Sequence, residues 1–227
     1  MILSGSSSMA EAIFSDLSLI PVINRLGIFL GVGDLSVGEV CTRDGVDPGF
    51  FLAVVNTFLN ENYFPEGVDT AFPVDRVLDY LSLTDEYYAS VQLPNIARHF
   101  SSLMDRSPGH NNLRMLLDFF EETRGDLLDS IRADREIYFP LVRRMARGER
   151  VVAEREVAGL VTSLSRRGIA EKVGDLSAFF VRHLRGEYDS NLCFAVMTAV
   201  AQLARDISQN NRIRERILCS MVEKVFI

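Results

Sequence analysis

Cysteine is scarce in this chain, and the few cysteines lie far apart. The 227 residues contain only three, at Cys41, Cys193 and Cys219. An odd number of cysteines without C-x-x-C or a similar spacing indicates neither a disulfide framework nor a zinc site. Reduced thiols in a cytoplasmic protein are the simplest interpretation.

The sequence also lacks the short motifs of common enzyme chemistry. It contains no G-x-S-x-G, no P-loop, no dinucleotide-binding fingerprint and no H-E-x-x-H. Ordinary hydrolase chemistry therefore has no support. We expect a protein that is not an enzyme.

Basic charge and long apolar runs are missing as well. Lysine and arginine number 24 against 31 acidic residues, which gives a net charge of −7. That balance argues against a nucleic-acid surface or an anionic-membrane surface, since both need basic patches. No apolar run approaches the roughly 20 residues of a membrane span. Residues 1–8 lack the features of a signal peptide, and we interpret them as a disordered extension or a non-native leader before Met9.

The distribution of glycine and proline divides the chain in two. Both are frequent in residues 10–64 and become scarcer after Val74, with Phe64–Pro73 as the linker. The first part therefore predicts a small helical domain. Its predicted helices are Glu11–Arg25, a second that opens with the capping box Ser36–Glu39 and runs to about Arg43, and Pro48–Asn60 capped by Asp47.

The second part, residues 74–227, predicts an all-α domain of long amphipathic helices. The expected helices are residues 74–106, 110–147, 151–185 and 189–225. Links this short make neighbouring helices antiparallel, so the predicted architecture is an up-down-up-down four-helix bundle. Pro94 and Pro140 should bend their helices.

Polar residues interrupt the apolar stripe of each long helix at one level. We counted the residues from each turn between two helices to the polar residue on either side of it. The positions of these residues along neighbouring helices differ by about one helical turn or less, so we expect them to face one another in the core. Two carboxylates and two guanidiniums would then neutralise each other. Alternatively, some of these side chains reach the surface, with Arg166 the first candidate. The predicted layer consists of Asp85, Ser130, Asp134, Arg166, Asn210 and Arg214.

Four segments resemble, in order, the four helices of bacterial hemerythrin-like domains. The resemblance covers roughly residues 74 to 225, and its segments are Asp79–Tyr88 with Leu93–Ile96, Leu127–Pro140, Ile169–Leu176 and Asn210–Leu218. In that family, histidines and carboxylates hold a non-heme di-iron centre. The resemblance places Asp85, Ser130, Arg166 and Asn210 at histidine positions, and Asp134 and Arg214 at carboxylate positions. Arginine has no lone pair to offer a metal, so we expect no di-iron site and no cofactor.

The N-terminal part resembles the small helical domain that precedes the bundle in iron–sulfur-cluster repair proteins. The similar residues are Leu26–Gly33, Ser36–Cys41, Gly45 and Asp47. That domain carries a Cys-Cys pair followed by glycine, whereas Gly31 and Val32 stand at the matching positions here. Both redox-active features of the resembled family are therefore missing.

Three functions remain open from the sequence. The first is a non-catalytic, metal-free regulatory or protein-interaction module. The second is a metal-binding protein in the response to oxygen, nitric-oxide or iron–sulfur stress, with non-heme iron held by a set drawn from Asp85, Glu86, His99, Asp134 and Glu136. His99 follows Asp85 by about four helical turns, which is too far for one metal.

The third is a DNA-binding transcriptional regulator. Residues Val40–Leu52 have the spacing of a helix-turn-helix, but the second helix offers no Lys or Arg and one useful amide, Asn56. Nucleic acid is therefore an improbable partner. The segment Phe50–Leu59 is nearly all hydrophobic, so the bundle, a second subunit or an unknown protein partner should cover it.

Overall fold

Helices form all of the regular structure in the described part of the chain. The computed structural model describes residues 1–67, 71–107, 111–149 and 153–224. Within these ranges there is no β-strand, and the one β-type pairing is an isolated bridge between Ser8 and Ser36. The all-α prediction is confirmed.

The helices before residue 60 are short, and those after residue 73 include three π-helical segments. The first group is α1 Met9–Ser15, α2 Leu19–Arg25, α3 Val37–Asp44 and α4 Pro48–Leu59. The second group is α5 Val74–Tyr87, π1 Tyr88–Gln92, α6 Leu93–Asp105, α7 Asn111–Ala133, π2 Asp134–Tyr138, α8 Phe139–Ala146, α9 Glu154–Leu164, α10 Arg167–His183, α11 Ser190–Ile213, π3 Arg214–Cys219 and α12 Ser220–Lys224. None of the helices in the described ranges is both long and apolar enough to cross a bilayer.

The chain divides into two compact units, each made of separate stretches of sequence. Unit one comprises Met1–Leu83, Leu141–Ser165 and Gln209–Ile227, and unit two comprises Thr84–Pro140 and Arg166–Ser208. Unit one thus combines residues from both of the predicted domains. The predicted domain boundary between residues 64 and 74 stays a prediction.

The predicted capping signals of the N-terminal helices are confirmed. The Ser36 hydroxyl accepts the Glu39 N–H at 3.3 Å, and the Glu39 carboxylate accepts the Ser36 N–H at 2.8 Å. The Ser36 hydroxyl also donates to the Glu39 carboxylate at 2.7 Å, and this bond, together with the one from the Ser36 N–H, lowers the pKa of Glu39. Gly45, with φ of 70°, ends α3 in the left-handed conformation, and the Asp47 carboxylate accepts the Phe50 N–H at 2.8 Å at the start of α4.

The predicted single helix Glu11–Arg25 is wrong, because the chain forms two helices, α1 and α2, across that stretch. The Asp16 carboxylate accepts the Ser18 N–H at 3.0 Å, a local bond that competes with helix continuation. Pro21 lacks an N–H and is tolerated only in a first turn. A helix containing Pro21 must therefore begin shortly before it, as α2 does at Leu19.

The predicted helix 151–185 is also broken in two, and its first two residues lie outside the described ranges. Helix α9 ends at Leu164 and α10 begins at Arg167. Ser165 is extended, with φ of −80° and ψ of 138°, and Arg166 is non-helical, with φ of −112° and ψ of 22°. Side-chain contacts of Arg166 described below stabilise this break.

Two of the π-helical segments directly precede the predicted helix-bending prolines. π1 ends at Gln92, two residues before Pro94, and π2 ends at Tyr138, two residues before Pro140. A proline removes one helical hydrogen bond and its ring clashes with the carbonyl four residues earlier. A wider π turn just before the proline is one way for a helix to accommodate the proline ring. The bends themselves stay a prediction.

The expectation that residues 1–8 are disordered is wrong. Leu3 is buried, and its backbone forms both hydrogen bonds with the side-chain amide of Asn56, at 2.7 Å to Oδ1 and 3.0 Å from Nδ2. The Gly38 N–H donates to the Gly5 carbonyl at 2.9 Å. A Cβ at Gly38 would lie 3.1 Å from that carbonyl oxygen, so the close approach favours glycine. The first residues are thus a packed part of unit one.

Helix α4 is covered within unit one, so it needs no second subunit. Its residues from Phe50 to Phe58 are buried apart from Leu52, which is half-buried. Two arginines of the C-terminal region bind the carbonyls at its end. Arg212 donates to the carbonyls of Thr57 and Phe58.

Arg216 holds the residues that follow α4. Its guanidinium donates to the carbonyls of Asn60, Glu61 and Tyr63 at 3.2, 2.6 and 2.8 Å. The same guanidinium lies 4.3 Å from the centre of the Phe64 ring. Carbonyls after a helix end have no partner in the helix, and cations there also complement the helix dipole.

We predict that Arg216→Met lowers the free energy of unfolding by about 2–3 kcal/mol, because three charge-assisted hydrogen bonds are lost. Urea denaturation followed by circular dichroism would measure it. Arg132→Met is the matched control, since Arg132 is exposed and pairs with Asp129 on its own helix; we expect a change within about 0.5 kcal/mol. Equal effects of the two variants would contradict this role for Arg216.

Candidate functional site

The interior of unit two contains a cluster of charged side chains centred on Arg166. Its guanidinium binds both oxygens of Asp85, with distances of 2.6 Å from Nη1 and 3.0 Å from Nη2. Nη2 also donates to the Asp134 carboxylate at 2.5 Å, and Nε donates to the Ser130 hydroxyl at 3.0 Å. One guanidinium thus joins two carboxylates and a hydroxyl.

Each charged member of this cluster lies at or near an irregular point of the backbone. Asp85 lies three residues before π1, and Asp134 is the first residue of π2. Arg166 occupies the non-helical position immediately before α10. π-helical turns occur frequently at functional sites, where they reposition side chains. The backbone irregularities therefore coincide with the residues that the sequence singled out.

The cluster is almost fully removed from solvent. Asp85 is 5% exposed, Asp134 1% and Arg166 3%. Burial by itself lowers the pKa of Arg166, but the negative charges of Asp85 and Asp134 outweigh it and raise that pKa above its ordinary value. Arg166 consequently stays charged. An unpaired ion at this depth would cost several kcal/mol, so the bidentate pairing is a condition for the fold.

A dense apolar core continues through unit two from this cluster. It includes Tyr88, which is 1% exposed, together with Phe100, Phe120 and Phe180. The ring of Phe100 lies 5.1 Å from that of Phe120 and 5.6 Å from that of Phe180, measured between centroids. Apolar surroundings strengthen the electrostatic interactions of a paired charge and increase the cost of an unpaired one.

Four of the six predicted layer residues lie together, and all four belong to unit two. The alternative in which Arg166 reaches the surface is wrong, because its two carboxylate partners retain it in the core. Asn210 and Arg214 are each 2% exposed and belong to unit one. Asn210 Oδ1 accepts the Tyr80 hydroxyl at 2.9 Å, and Arg214 donates to the Leu164 carbonyl at 3.4 Å. A pairing of Arg214 with the carboxylates stays a prediction.

Sequence reasoning missed Tyr80 as a polar member of the interior of unit one. Tyr80 is 2% exposed, and the Arg25 guanidinium lies 5.6 Å from the centre of its ring. Tyr80 lies beside the predicted apolar stripe of this helix and not on it, so the periodicity did not mark it as buried; once buried, its phenol requires a hydrogen-bond partner. The position of Tyr80 in the sequence gave no indication of which residue would be that partner.

The residues present do not fit a di-iron centre. Of the alternative ligands, Asp85 and Asp134 come together, but Glu86 and Glu136 are exposed and His99 is half-buried. Among the described residues, no three His, Cys, Asp or Glu side chains converge on one point. The space between the two carboxylates contains a guanidinium, which has no lone pair to give a metal. The donor set lacks the imidazoles that such a centre requires.

The three cysteines offer no reactive thiolate. Cys41, Cys193 and Cys219 are buried and unbridged. Burial raises the pKa of Cys41 to about 11 and that of Cys219 to about 12. Reactive and metal-binding cysteines have lowered pKa values, so thiol chemistry has no support here.

In comparisons with known proteins, no family model matches this chain and no curated protein matches it. A family assignment therefore depends on the residues and contacts described above.

We predict that Arg166→Met lowers the free energy of unfolding by about 3–5 kcal/mol, because it leaves two buried carboxylates without their counter-ion. Adding Asp85→Asn and Asp134→Asn to Arg166→Met should restore a large part of the loss, since the buried negative charge is removed with the cation. Urea denaturation of the four proteins, including the double Asn variant alone, would measure the coupling. Additive losses would show that the charges are not coupled.

Proposed function

We propose that the second part of this chain is a hemerythrin-like, up-down-up-down four-helix bundle in which a guanidinium replaces the metal centre. We propose further that the protein is a non-catalytic, metal-free regulatory or protein-interaction module of the bacterial cytoplasm. The observation that carries the proposal is the position of Arg166 between Asp85 and Asp134. Both aspartates lie in segments that resemble ligand-bearing helices of that family.

A buried carboxylate pair needs a positive partner whether or not a metal is present. In a metalloprotein, the metal ions provide the positive charge, and coordination fixes the orientation of the carboxylates. Here Arg166 provides the positive charge and also orients both carboxylates, through a bidentate contact to Asp85 and a bond to Asp134. The replacement explains how such a scaffold keeps acidic residues in its core after losing its histidines.

The cluster offers no obvious catalytic group. The two carboxylates both accept hydrogen bonds from Arg166, and the Ser130 hydroxyl accepts one from the same side chain. A general base or a nucleophile needs a lone pair directed at substrate. This arrangement directs the acceptors towards a fixed cation and favours a structural role.

Exposed apolar side chains in unit one support an interaction role. Phe29 is 67% exposed and Leu30 60%, directly before Gly31 and Val32. The resemblance places the Cys-Cys pair of cluster-repair proteins at those last two positions. Large apolar residues held in water usually mark interaction sites when they occur together. A loop that lacks this cysteine pair and presents two large apolar side chains is suited to binding a protein partner.

The DNA-binding alternative loses its main support in the burial of α4. Helices α3 and α4 with Gly45 between them do have helix-turn-helix spacing. However, α4 is buried over most of its length, and the Asn56 amide is used by Leu3. A recognition helix has to present side chains to the major groove. The burial of α4 also removes the reason for expecting a homodimer through it.

We predict that the protein purified without chelator contains iron, manganese or zinc far below one atom per chain, because arginine occupies the space between the carboxylates. Elemental analysis by inductively coupled plasma mass spectrometry would measure the content. Stoichiometric iron, retained on dialysis, would overturn the proposal and restore the metal-binding alternative.

We also predict that Arg166→His creates a site for a divalent cation, since it places an imidazole beside two carboxylates. Titration with Co²⁺ should give visible d–d absorption, and a metal concentration of about 100 times Kd should stabilise the variant by about 2.7 kcal/mol. Arg167→His is the matched control, because Arg167 is adjacent but exposed. Equal Co²⁺ binding by the two variants would argue that the cluster is not a former metal position.

A further inference from the structure

A groove of about 470 Å³ opens on the surface of unit two, between the first turns of α7 and the last turn of α10. Its apolar wall consists of Met115, Leu116, Phe119 and Phe179. Small-molecule sites commonly have volumes of a few hundred Å³ and combine apolar walls with a few polar groups. The size and composition of this groove match that description.

The apolar wall is preformed and accessible. The rings of Phe119 and Phe179 lie 5.6 Å apart between centroids. Met115 is 66% exposed and Phe179 44%, so their apolar surface is open to a ligand. Methionine adapts its shape to apolar ligands, and aromatic rings provide flat contact surface.

Polar and cationic groups lie together at one end of the groove. Asn112 donates its side-chain amide to the His183 carbonyl at 2.7 Å, which fixes the start of α7 against the end of α10. The His183 imidazole packs on Phe179 with 5.1 Å between ring centroids. Arg185, two residues further along the chain, also lines the groove. This end therefore has imidazole, amide and guanidinium groups and no carboxylate.

The charge of Arg185 is available to a ligand. Arg185 is exposed, and no carboxylate of the described residues lies within ion-pair distance of it. Lys172, by contrast, lies 5.9 Å from the Phe119 ring centre but is paired with Glu122 at 2.6 Å and Asp126 at 2.7 Å. The charge that this groove can contribute to binding thus comes from its polar end.

We propose that this groove binds a medium-chain carboxylic acid, with its alkyl chain lying along the surface formed by Met115, Phe119 and Phe179 and its carboxylate at Arg185. Charge complementarity selects an anion, and the wall of aromatic rings and a methionine selects an apolar tail. Met115 and Ser130 are fifteen residues apart on α7, about 22 Å along the helix, so the groove is separate from the Arg166 cluster. The inference therefore does not rest on the proposed function.

Isothermal titration calorimetry of the full chain with sodium decanoate, below its critical micelle concentration, tests the inference. Met115→Glu should weaken binding by about tenfold or more, because it removes apolar contact and adds a like charge. Its matched control is Val181→Glu, since Val181 is 74% exposed on α10 and does not line the groove. Val181→Glu should bind decanoate as the unaltered protein does.

The charge is tested separately. Arg185→Ala should weaken decanoate binding by about threefold, the value of an exposed ion pair, while Arg182→Ala leaves it unchanged. 1-Decanol should bind the unaltered protein more weakly than decanoate and show no dependence on Arg185.

Absence of decanoate binding, or equal binding by the Met115→Glu and Val181→Glu variants, would overturn the inference. Sedimentation velocity distinguishes the competing occupant. A dimer that Met115→Glu abolishes and that decanoate does not dissociate would assign the groove to a second copy of the chain and also overturn the inference.

Discussion

The constraint on which the interior of unit two depends is the need to neutralise two buried carboxylates. Asp85 and Asp134 have almost no contact with water, and Arg166 reaches both of them. Burying any one of these charged groups alone would cost free energy, and the bidentate ion pairing offsets that cost when they are buried together. The helical break at Ser165–Arg166 follows from this requirement. A short non-helical step places the guanidinium at the carboxylates, and the ion pairs compensate for the helical hydrogen bonds that the break removes.

The features that could be predicted from sequence are those encoded locally. The capping box at Ser36, the Asp47 cap and the all-helical class follow from residue type and spacing, and the structure confirms them. The grouping of Asp85, Ser130, Asp134 and Arg166 could also be predicted, because counting residues from short turns fixes their height along each helix. The break near Ser165 could not, since it depends on the contacts of Arg166 with distant residues. The break near Asp16 has local signals, Asp16 itself and Pro21, which the apolar periodicity of the stretch does not reveal.

Unit one also contains contacts between distant residues that could not be predicted from the sequence. The apolar surface of α4 predicted that something must cover it, but the sequence offered several candidates. The carbonyls at its end bind Arg212 and Arg216, about 155 positions further along the chain. No periodicity within either segment encodes that pairing. The packing of Leu3 on Asn56 is a second example, since residues 1–8 contain no pattern that distinguishes them from a disordered leader.

The π-helical segments have a consequence for how related chains should be compared. A π turn contains an extra residue relative to an α turn, so it rotates all later side chains by about 100° around the helix axis. A relative without that residue would keep the same core only with a one-residue gap inside the helix, at π1, π2 or π3. Alignment methods that penalise gaps inside helices would lose the correspondence at the positions that carry Asp134 and Arg214. Distant relatives of this chain are therefore more readily identified by structural superposition than by sequence alignment.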